Sequence, residues 1–128
     1  MKKVLFVCVE NSCRSQMAEG FARVLGKGKI ESYSAGSRPS GKVNPDAIRF
    51  MQEAGIDIFS FRSKGFYDLG IKDFDYVITM GCKDTCPFVS ARKHIDWQIE
   101  DPKDKGEDFF RKTRDLIKEK VEQLIREV

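Results

Sequence analysis

From Lys3 to Cys8 the sequence is a continuous apolar run with β-branched and aromatic members, which is typical of a strand buried on both faces in a parallel sheet. A short polar loop follows this run. From Ser15 to Leu25 apolar residues recur at helical spacing, and Gly26 with Gly28 supplies the end of the helix. A strand, a short loop and a helix in this order form a βα unit, so we predict an α/β fold.

The rest of the chain continues the alternation of strands and helices. Further strands are predicted at Ile30 to Ala35, Asp75 to Met80 and Lys93 to Trp97, and a short helix near Gly65 to Leu69. A helix that begins at Asn44-Pro45 has the apolar stripe Ala47, Ile48, Met51 and Ala54, and a last helix runs from Glu107 to Glu127. We therefore expect residues 1–128 to form a single catalytic domain, a three-layer sandwich with a four-stranded, mainly parallel sheet.

Composition and charge say little about the partner by themselves. The net charge of +3 is spread along the chain, so it is weak evidence for a nucleic-acid partner and fits a preference for small anions. The N-terminal apolar run is too short for a signal peptide, and no segment is long enough to span a membrane. We expect a cytoplasmic protein without membrane partners, whose four cysteines are reduced thiols at rest.

The segment Cys8 to Ser15 has the pattern of an oxyanion-binding loop. A loop of this length that enters a helix can turn backbone N–H groups inward and form an anion nest at the positive end of the helix dipole. We assign this nest to the loop residues Val9, Glu10, Asn11, Ser12, Cys13 and Arg14. The guanidinium of Arg14 can bind two oxygens of a phosphate-like group. The same positive field favours the thiolate of Cys8, which makes Cys8 the candidate nucleophile.

Two further groups are expected to support this loop. The hydroxyl of Ser15 can stabilise the Cys8 thiolate, and the side chain of Asn11 can tie the loop backbone together. The simplest expectation for Cys13 is that it packs beneath the loop. These expectations rest on where the residues stand between a buried strand and a helix.

Cys82 and Cys86 form a second group of thiols. They follow the strand that ends at Met80, so Cys82 is expected at the same sheet edge as Cys8. Three readings are open from the residues alone. The pair takes part in thiol exchange with Cys8, or it binds zinc together with Cys8, Cys13 or His94, or it is inert. A guanidinium beside Cys8 would oppose a bound cation, which favours thiol exchange.

Asp101-Pro102 lies between the last predicted strand and the last helix, where a loop can hold a carboxylic acid over the site. A turn or a helix cap is the alternative reading. His94 invites the reading of a Cys–His hydrolase, but Arg14 and the helix can activate Cys8 without a base. Four aromatic residues are most simply core or pocket wall, namely Trp97, Phe59, Phe61 and Phe66.

The segment from Cys8 to Ser15 reads Cys-x-x-Asn-Ser-Cys-Arg-Ser and is followed by Gln-Met-Ala-Glu-Gly. This pattern resembles the low-molecular-weight protein tyrosine phosphatase family, and especially its branch of thioredoxin-coupled arsenate reductases. Five later segments carry the resemblance to the final helix: Ser34-Ala35-Gly36, Val43-Asn44-Pro45, Met80-Gly81-Cys82, Cys86-Pro87 and Asp101-Pro102. Glu10 departs from the family, where a glycine or another small or polar residue is common. A carboxylate at that position weakens anion binding unless it points outward.

The resemblance implies an order of events for arsenate reduction. Cys8 attacks arsenate, Cys82 attacks Cys8 to release arsenite, and Cys86 forms a redox disulfide with Cys82 that thioredoxin reduces. It also implies that Asp101 is the general acid. The two alternatives are a phosphatase that forms a Cys8 phosphoenzyme, and a non-catalytic zinc-binding or redox-sensing module.

Two details separate these functions. Phosphatases of this fold usually have aromatic residues after the Asp-Pro pair, whereas this chain has Lys103-Asp104-Lys105, which favours arsenate over phosphotyrosine. Some arsenate reductases of the branch bind potassium near the loop. Asn11 and Ser34 match such a site, but Arg62 falls near one expected ligand position, so we predict neither a potassium ion nor any other metal or cofactor.

Overall fold

The computed structural model describes residues 1–81 and 89–128. All predicted helices and strands are found in these ranges, with ends that differ by a few residues. The strands are β1 (Lys2–Cys8), β2 (Ile30–Gly36), β3 (Asp73–Thr79) and β4 (Ser90–Asp96), and the α-helices are α1 (Arg14–Leu25), α2 (Pro45–Glu53) and α3 (Glu107–Glu127). A single 3-10 turn spans Phe66–Asp68.

The four strands form one sheet in the order β2-β1-β3-β4, and every pair of neighbours is parallel. The register places Cys8 of β1 beside Gly36 of β2, and Thr79 of β3 beside Asp96 of β4. The carboxyl ends of all four strands therefore lie along one edge. This arrangement confirms the predicted α/β class with a parallel sheet.

Strand β1 is buried on both faces, as the apolar run predicts. Val4, Phe6 and Cys8 belong to a large cluster that includes residues from all three α-helices, whereas Leu5 and Val7 belong to a smaller cluster on the opposite face. This alternation follows from the two-residue period of a strand. It fixes the Cys8 side chain on the face of the sheet that α1 covers.

An ion-pair cluster joins α2 to α3. Arg111 donates from Nε to Glu53 Oε1 at 3.0 Å and from Nη2 to Oε2 at 3.1 Å, and Arg114 Nη1 donates to Glu53 Oε1 at 2.7 Å. These bonds lower the pKa of Glu53 to about 2. A carboxylate that accepts several charged hydrogen bonds keeps its negative charge at low pH.

Two expectations about apolar residues are wrong. In α2 the buried stripe is Ala47, Phe50 and Met51, whereas Ala54 is exposed because the helix ends at Glu53. Phe59 is 76% exposed and lines no core, because its amide is bound to Asp57 Oδ1 in a surface turn. Among the described residues, no helix has the length and apolar character needed to cross a membrane.

Candidate active site

Cys8 is the last residue of β1 and is 3% exposed. Its Sγ lies 2.9 Å from Ser15 Oγ, and Ser15 is fully buried in the first turn of α1. Sulfur and hydroxyl face each other because the loop between them returns directly to the sheet edge from which β1 emerges. The predicted partnership of Cys8 with Ser15 is therefore present as a contact.

The loop between Cys8 and α1 is held from outside through its carbonyl groups. Neighbouring segments donate hydrogen bonds of 2.8 to 3.1 Å to these oxygens, from Arg38 N to Val9 O, from Ser40 N and Ser63 Oγ to Glu10 O, from Gln16 Nε2 to Asn11 O, and from Asn44 N to Ser12 O. In the described ranges, the amide groups of residues 10–14 donate to no other group of the protein. Carbonyls that bind outward and amides without protein acceptors are what an anion nest requires.

Asn11 is the internal brace of the loop. It is fully buried and has a φ of 49°, a left-handed conformation in which asparagine is better tolerated than most residues. Its Nδ2 donates to Ser15 Oγ at 2.8 Å, and its Oδ1 accepts from Gln16 Nε2 and from Lys64 N, both at 2.9 Å. Both ends of the amide are thus satisfied, which fixes its orientation.

Arg14 closes the loop at the start of α1 and is 9% exposed. Its Nη1 donates to Ile99 O at 2.8 Å, and its Nη2 lies 3.9 Å from Asp101 Oδ2. Its Nε is buried with no hydrogen-bond partner among the described residues. Anchoring through Nη1 leaves Nε and Nη2 to bind an oxyanion.

Gly81 makes room for this guanidinium. A Cβ at position 81 would lie 2.4 Å from Arg14 Nη1, and Gly81 has a φ of +86°. A larger residue would therefore be strained at this φ and would displace the guanidinium of Arg14.

A cleft of about 290 Å³ opens above Cys8. Its lining residues are Cys8, Val9, Glu10, Ser12, Cys13, Arg14, Arg38, Asn44, Asp101 and Lys103. The side chain of Asp101 is 47% exposed, so its carboxyl group can exchange protons with solvent. The structure therefore brings Cys8, Arg14, Ser15 and Asp101 together at one site.

The cleft contains two cationic residues, of which the sequence reasoning singled out Lys103 but not Arg38. Arg38 enters it from the loop after β2, and Lys103 follows the Asp-Pro pair. Because Glu10 also lines the cleft, these two cations offset a carboxylate at the mouth. No spacing pattern marks Arg38, since its place depends on how the loop after β2 folds over the site.

Cys13 immediately precedes α1 and is 6% exposed. Burial raises the pKa of its thiol well above the ordinary range, and the negative charge of Asp101 adds to this effect. A thiol of this kind stays protonated at neutral pH and is a poor nucleophile. Its setting agrees with the expected packing role beneath the loop.

Cys82 and Cys86 lie outside the described residues, so the predicted redox disulfide is a matter for proposal. His94, which the zinc reading would use, is exposed on β4 with its Nε2 2.7 Å from Val89 O. In residues 1–81 and 89–128, no group of three His, Cys, Asp or Glu side chains is placed to hold a metal ion.

A polar cluster behind the loop also escaped the sequence reasoning. Gln16 and Glu19 are buried within α1, and Lys64 reaches Glu19 from the segment before the 3-10 turn. Apart from their place in the segment that carries the family resemblance, the signal was that Gln16 and Glu19 share a helix with an apolar stripe. That pattern is also produced by an ordinary solvated helix face.

Comparisons with known proteins agree with this geometry. Residues 3–128 match the family model described as low molecular weight phosphotyrosine protein phosphatase. The chain is 47% identical over 131 residues to a protein of Synechocystis sp. named glutaredoxin arsenate reductase, covering 100% of this chain and 99% of the relative.

Two solved structures extend the comparison. One, described as an arsenate reductase in the phosphate binding state, has a TM-score of 0.88 and 43% identity, covering 100% of this chain and 99% of the other. The second is a thioredoxin-dependent arsenate reductase of Corynebacterium glutamicum, with a TM-score of 0.83 and 33% identity, covering 99% of this chain and 61% of the other. This chain is therefore an enzyme of the low molecular weight phosphotyrosine protein phosphatase family, and it lies among the members named arsenate reductase.

Proposed function

We propose that this enzyme reduces arsenate to arsenite through a relay of three thiols, in which Cys8 is the nucleophile and Cys82 and Cys86 are the resolving pair. The observation that carries the proposal is the contact of 2.9 Å between Cys8 Sγ and Ser15 Oγ at the floor of a cleft closed by Arg14. Nearly full-length similarity to proteins named arsenate reductase supports the choice of oxyanion.

In the first step the Cys8 thiolate attacks arsenic and a sulfur–arsenic bond forms. One arsenate oxygen leaves as water, and the carboxylic acid of Asp101 supplies a proton to it. Arg14 and the backbone N–H groups of the loop hold the remaining oxygens. These donors stabilise the negative charge of the adduct because they are already oriented before arsenate binds.

In the second step the thiolate of Cys82 attacks the sulfur of Cys8. The sulfur–arsenic bond breaks and its electron pair stays with arsenic, so arsenate is reduced to arsenite while Cys8 and Cys82 become a disulfide. Cys86 then attacks Cys82, which releases the Cys8 thiolate and forms the Cys82–Cys86 disulfide. An external dithiol returns two electrons and two protons to that disulfide.

We propose thioredoxin as this reductant, with glutaredoxin as the alternative. The C. glutamicum structure is described as thioredoxin-dependent, whereas the Synechocystis relative is named for glutaredoxin. Both reductants attack a disulfide with a thiolate, so the chemistry of the relay is the same. A reaction in the cytoplasm, where both reductants operate, fits the proposal.

The test is arsenate-dependent oxidation of NADPH, measured once with thioredoxin and thioredoxin reductase and once with glutathione, glutaredoxin and glutathione reductase. We expect Cys8→Ser, Cys82→Ser and Cys86→Ser to abolish steady turnover and Cys13→Ser, the matched control, to retain it. Cys86→Ser should complete one turnover and accumulate a Cys8–Cys82 disulfide. Multiple turnover by Cys86→Ser would refute the relay.

Phosphate ester hydrolysis is the second candidate, because the family model describes a phosphatase and the cleft is built for a tetrahedral anion. Among the described residues, no aromatic side chain lines the cleft, and Arg38 and Lys103 stand there instead. An aryl group therefore has no aromatic ring to stack on among these residues. Hydrolysis of p-nitrophenyl phosphate that needs Cys8 but not Cys82, in an enzyme without arsenate-dependent NADPH oxidation, would favour the phosphatase.

A further inference from the structure

Lys64 places an ammonium group behind the oxyanion loop. Its side chain is 21% exposed, and its Nζ donates to Ser34 Oγ at 3.2 Å and to Arg62 O at 3.3 Å. The same Nζ lies 3.6 Å from Oε1 of Glu19, whose side chain is 5% exposed. The ammonium therefore joins β2, α1 and the segment before the 3-10 turn at one point.

The Glu19 carboxylate needs this cation. Its Oε1 also accepts a hydrogen bond from Ser34 Oγ, and its Oε2 accepts one from Arg23. A carboxylate buried to this degree is stable in its charged form only when cations and hydrogen-bond donors surround it. Both Arg23 and Lys64 pair with Glu19. The Arg23 side chain is mostly exposed, whereas the Lys64 side chain is mostly buried, so Lys64 is the cation that lies next to the loop.

The backbone of Lys64, which the ammonium contacts hold in place, is connected to Cys8 through the side chains of Asn11 and Ser15. The backbone N–H of Lys64 donates to Asn11 Oδ1 at 2.9 Å, which helps to turn Asn11 Nδ2 toward Ser15 Oγ at 2.8 Å. Since Ser15 Oγ accepts from Asn11, its own proton is free to be donated to Cys8 Sγ at 2.9 Å. A hydroxyl that donates to sulfur stabilises the thiolate.

The oxygens that accept hydrogen bonds from Lys64 are not available to a potassium ion. The ion expected near this loop in some arsenate reductases would take oxygens of Asn and Ser or Thr side chains. Here Ser34 Oγ and the Arg62 carbonyl accept from the ammonium of Lys64, and Asn11 Oδ1 accepts from the Lys64 backbone. An ammonium carries the same single positive charge as potassium, and this one is covalently fixed to the protein.

We propose that Lys64 is a positioning residue whose ammonium neutralises the buried Glu19 carboxylate behind the oxyanion loop, so that the thiolate of Cys8 forms without potassium. The inference deepens the proposed function, since it concerns the same nucleophile. It holds for thiolate formation whether arsenate or a phosphate ester is the substrate.

The test measures the rate at which iodoacetamide alkylates Cys8 as a function of pH, with peptide mass spectrometry to separate Cys8 from the other cysteines. The variants are Lys64→Met, which keeps the length of the chain and removes the charge, and Lys64→Arg, which keeps the charge. Lys118→Met removes an exposed lysine of α3 and is the control. Each protein is measured in potassium chloride and in choline chloride at equal ionic strength.

We expect the wild-type enzyme and Lys118→Met to have the same pH midpoint of alkylation in both salts. Lys64→Met should have a midpoint about one pH unit higher, which lowers the thiolate fraction about tenfold below the midpoint. Lys64→Arg should stay near the wild-type value. The groups that face Cys8 in the cleft, Arg14 and Asp101 among them, are the same in every variant.

Two results would overturn the inference. The first is an unchanged midpoint in a Lys64→Met protein that is folded by circular dichroism. The second is a wild-type midpoint that falls when potassium replaces choline, and this comparison needs no variant to fold. Neither readout uses arsenate, so loss of the reductase proposal would leave the test intact.

Discussion

Substitution of Gly81 by alanine should disable oxyanion binding through Arg14. A Cβ at position 81 would lie 2.4 Å from Arg14 Nη1, about 1 Å closer than the ~3.5 Å at which such atoms pack. The guanidinium must move by about that amount, which breaks the 2.8 Å bond from Nη1 to Ile99 O. The groups that remain for the anion, Nε and Nη2, move with it.

The expected loss follows from the strength of these bonds. A hydrogen bond to a charged group contributes about 1.5–3 kcal/mol. Loss of one such bond to the anion, about 2 kcal/mol, weakens binding roughly 30-fold. Isothermal titration calorimetry with inorganic phosphate measures this affinity directly and requires no turnover.

Gly28→Ala is the matched control. Gly28 has the same φ of +86° as Gly81, but no atom lies within 4 Å of a Cβ built there. Both variants should lose about 1–2 kcal/mol of unfolding free energy in urea, because alanine is strained in this conformation. Only Gly81→Ala should lose phosphate affinity. Equal phosphate affinities in the two variants would show that Gly81 does not position Arg14.

Three further predictions concern single side chains. Ser15→Ala should raise the pH midpoint of Cys8 alkylation by about one unit, since a hydroxyl bond to a thiolate contributes about 1.5 kcal/mol, and an unchanged midpoint would refute the contact's role. Asp101→Asn should slow arsenate turnover by about 10²-fold or more and remove the acidic group from the pH–rate profile of pre-steady-state adduct formation, whereas a wild-type profile would exclude Asp101 as the acid. Glu53→Gln should destabilise the fold at neutral pH. Because the pKa of Glu53 is lowered to about 2 in the folded state, the difference in urea midpoint should shrink as pH falls from about 4.5 toward 2, and a difference that persists at low pH would contradict the ion-pair cluster.

Most elements of the fold follow from the sequence because they have a strong local signal, whereas the stretch before β3, with its short 3-10 turn, has a weak one. The apolar run of β1 predicts a strand buried on both faces, and Asn44-Pro45 marks the start of α2 through a cap and a proline with a suitable φ. The stripe of α2 was less predictable. Phe50 replaces Ala54 in the core because the helix ends one residue before Ala54, and ends of helices depend on tertiary contacts.

The candidate site is only partly readable from the sequence. Cys8, Arg14 and Ser15 stand close together in the chain, so local spacing places them around one loop. The contribution of Lys64 depends on its contact with Asn11, which lies 53 residues earlier in the chain. No local pattern predicts such a contact. The position of Arg38 in the cleft likewise depends on the path of the loop after β2, which no local pattern predicts.

The outward bonds of the loop carbonyls limit how the loop can be reused. Its oxygens are bound by residues far along the chain, among them Arg38, Ser40, Asn44 and Ser63. An eight-residue peptide with the sequence of Cys8 to Ser15, or a graft of that segment onto another scaffold, would lack these donors. Its carbonyls would then be free to turn inward and repel an anion. The loop is thus not a portable motif, and a designer who wished to transplant it would have to carry the surrounding segments as well.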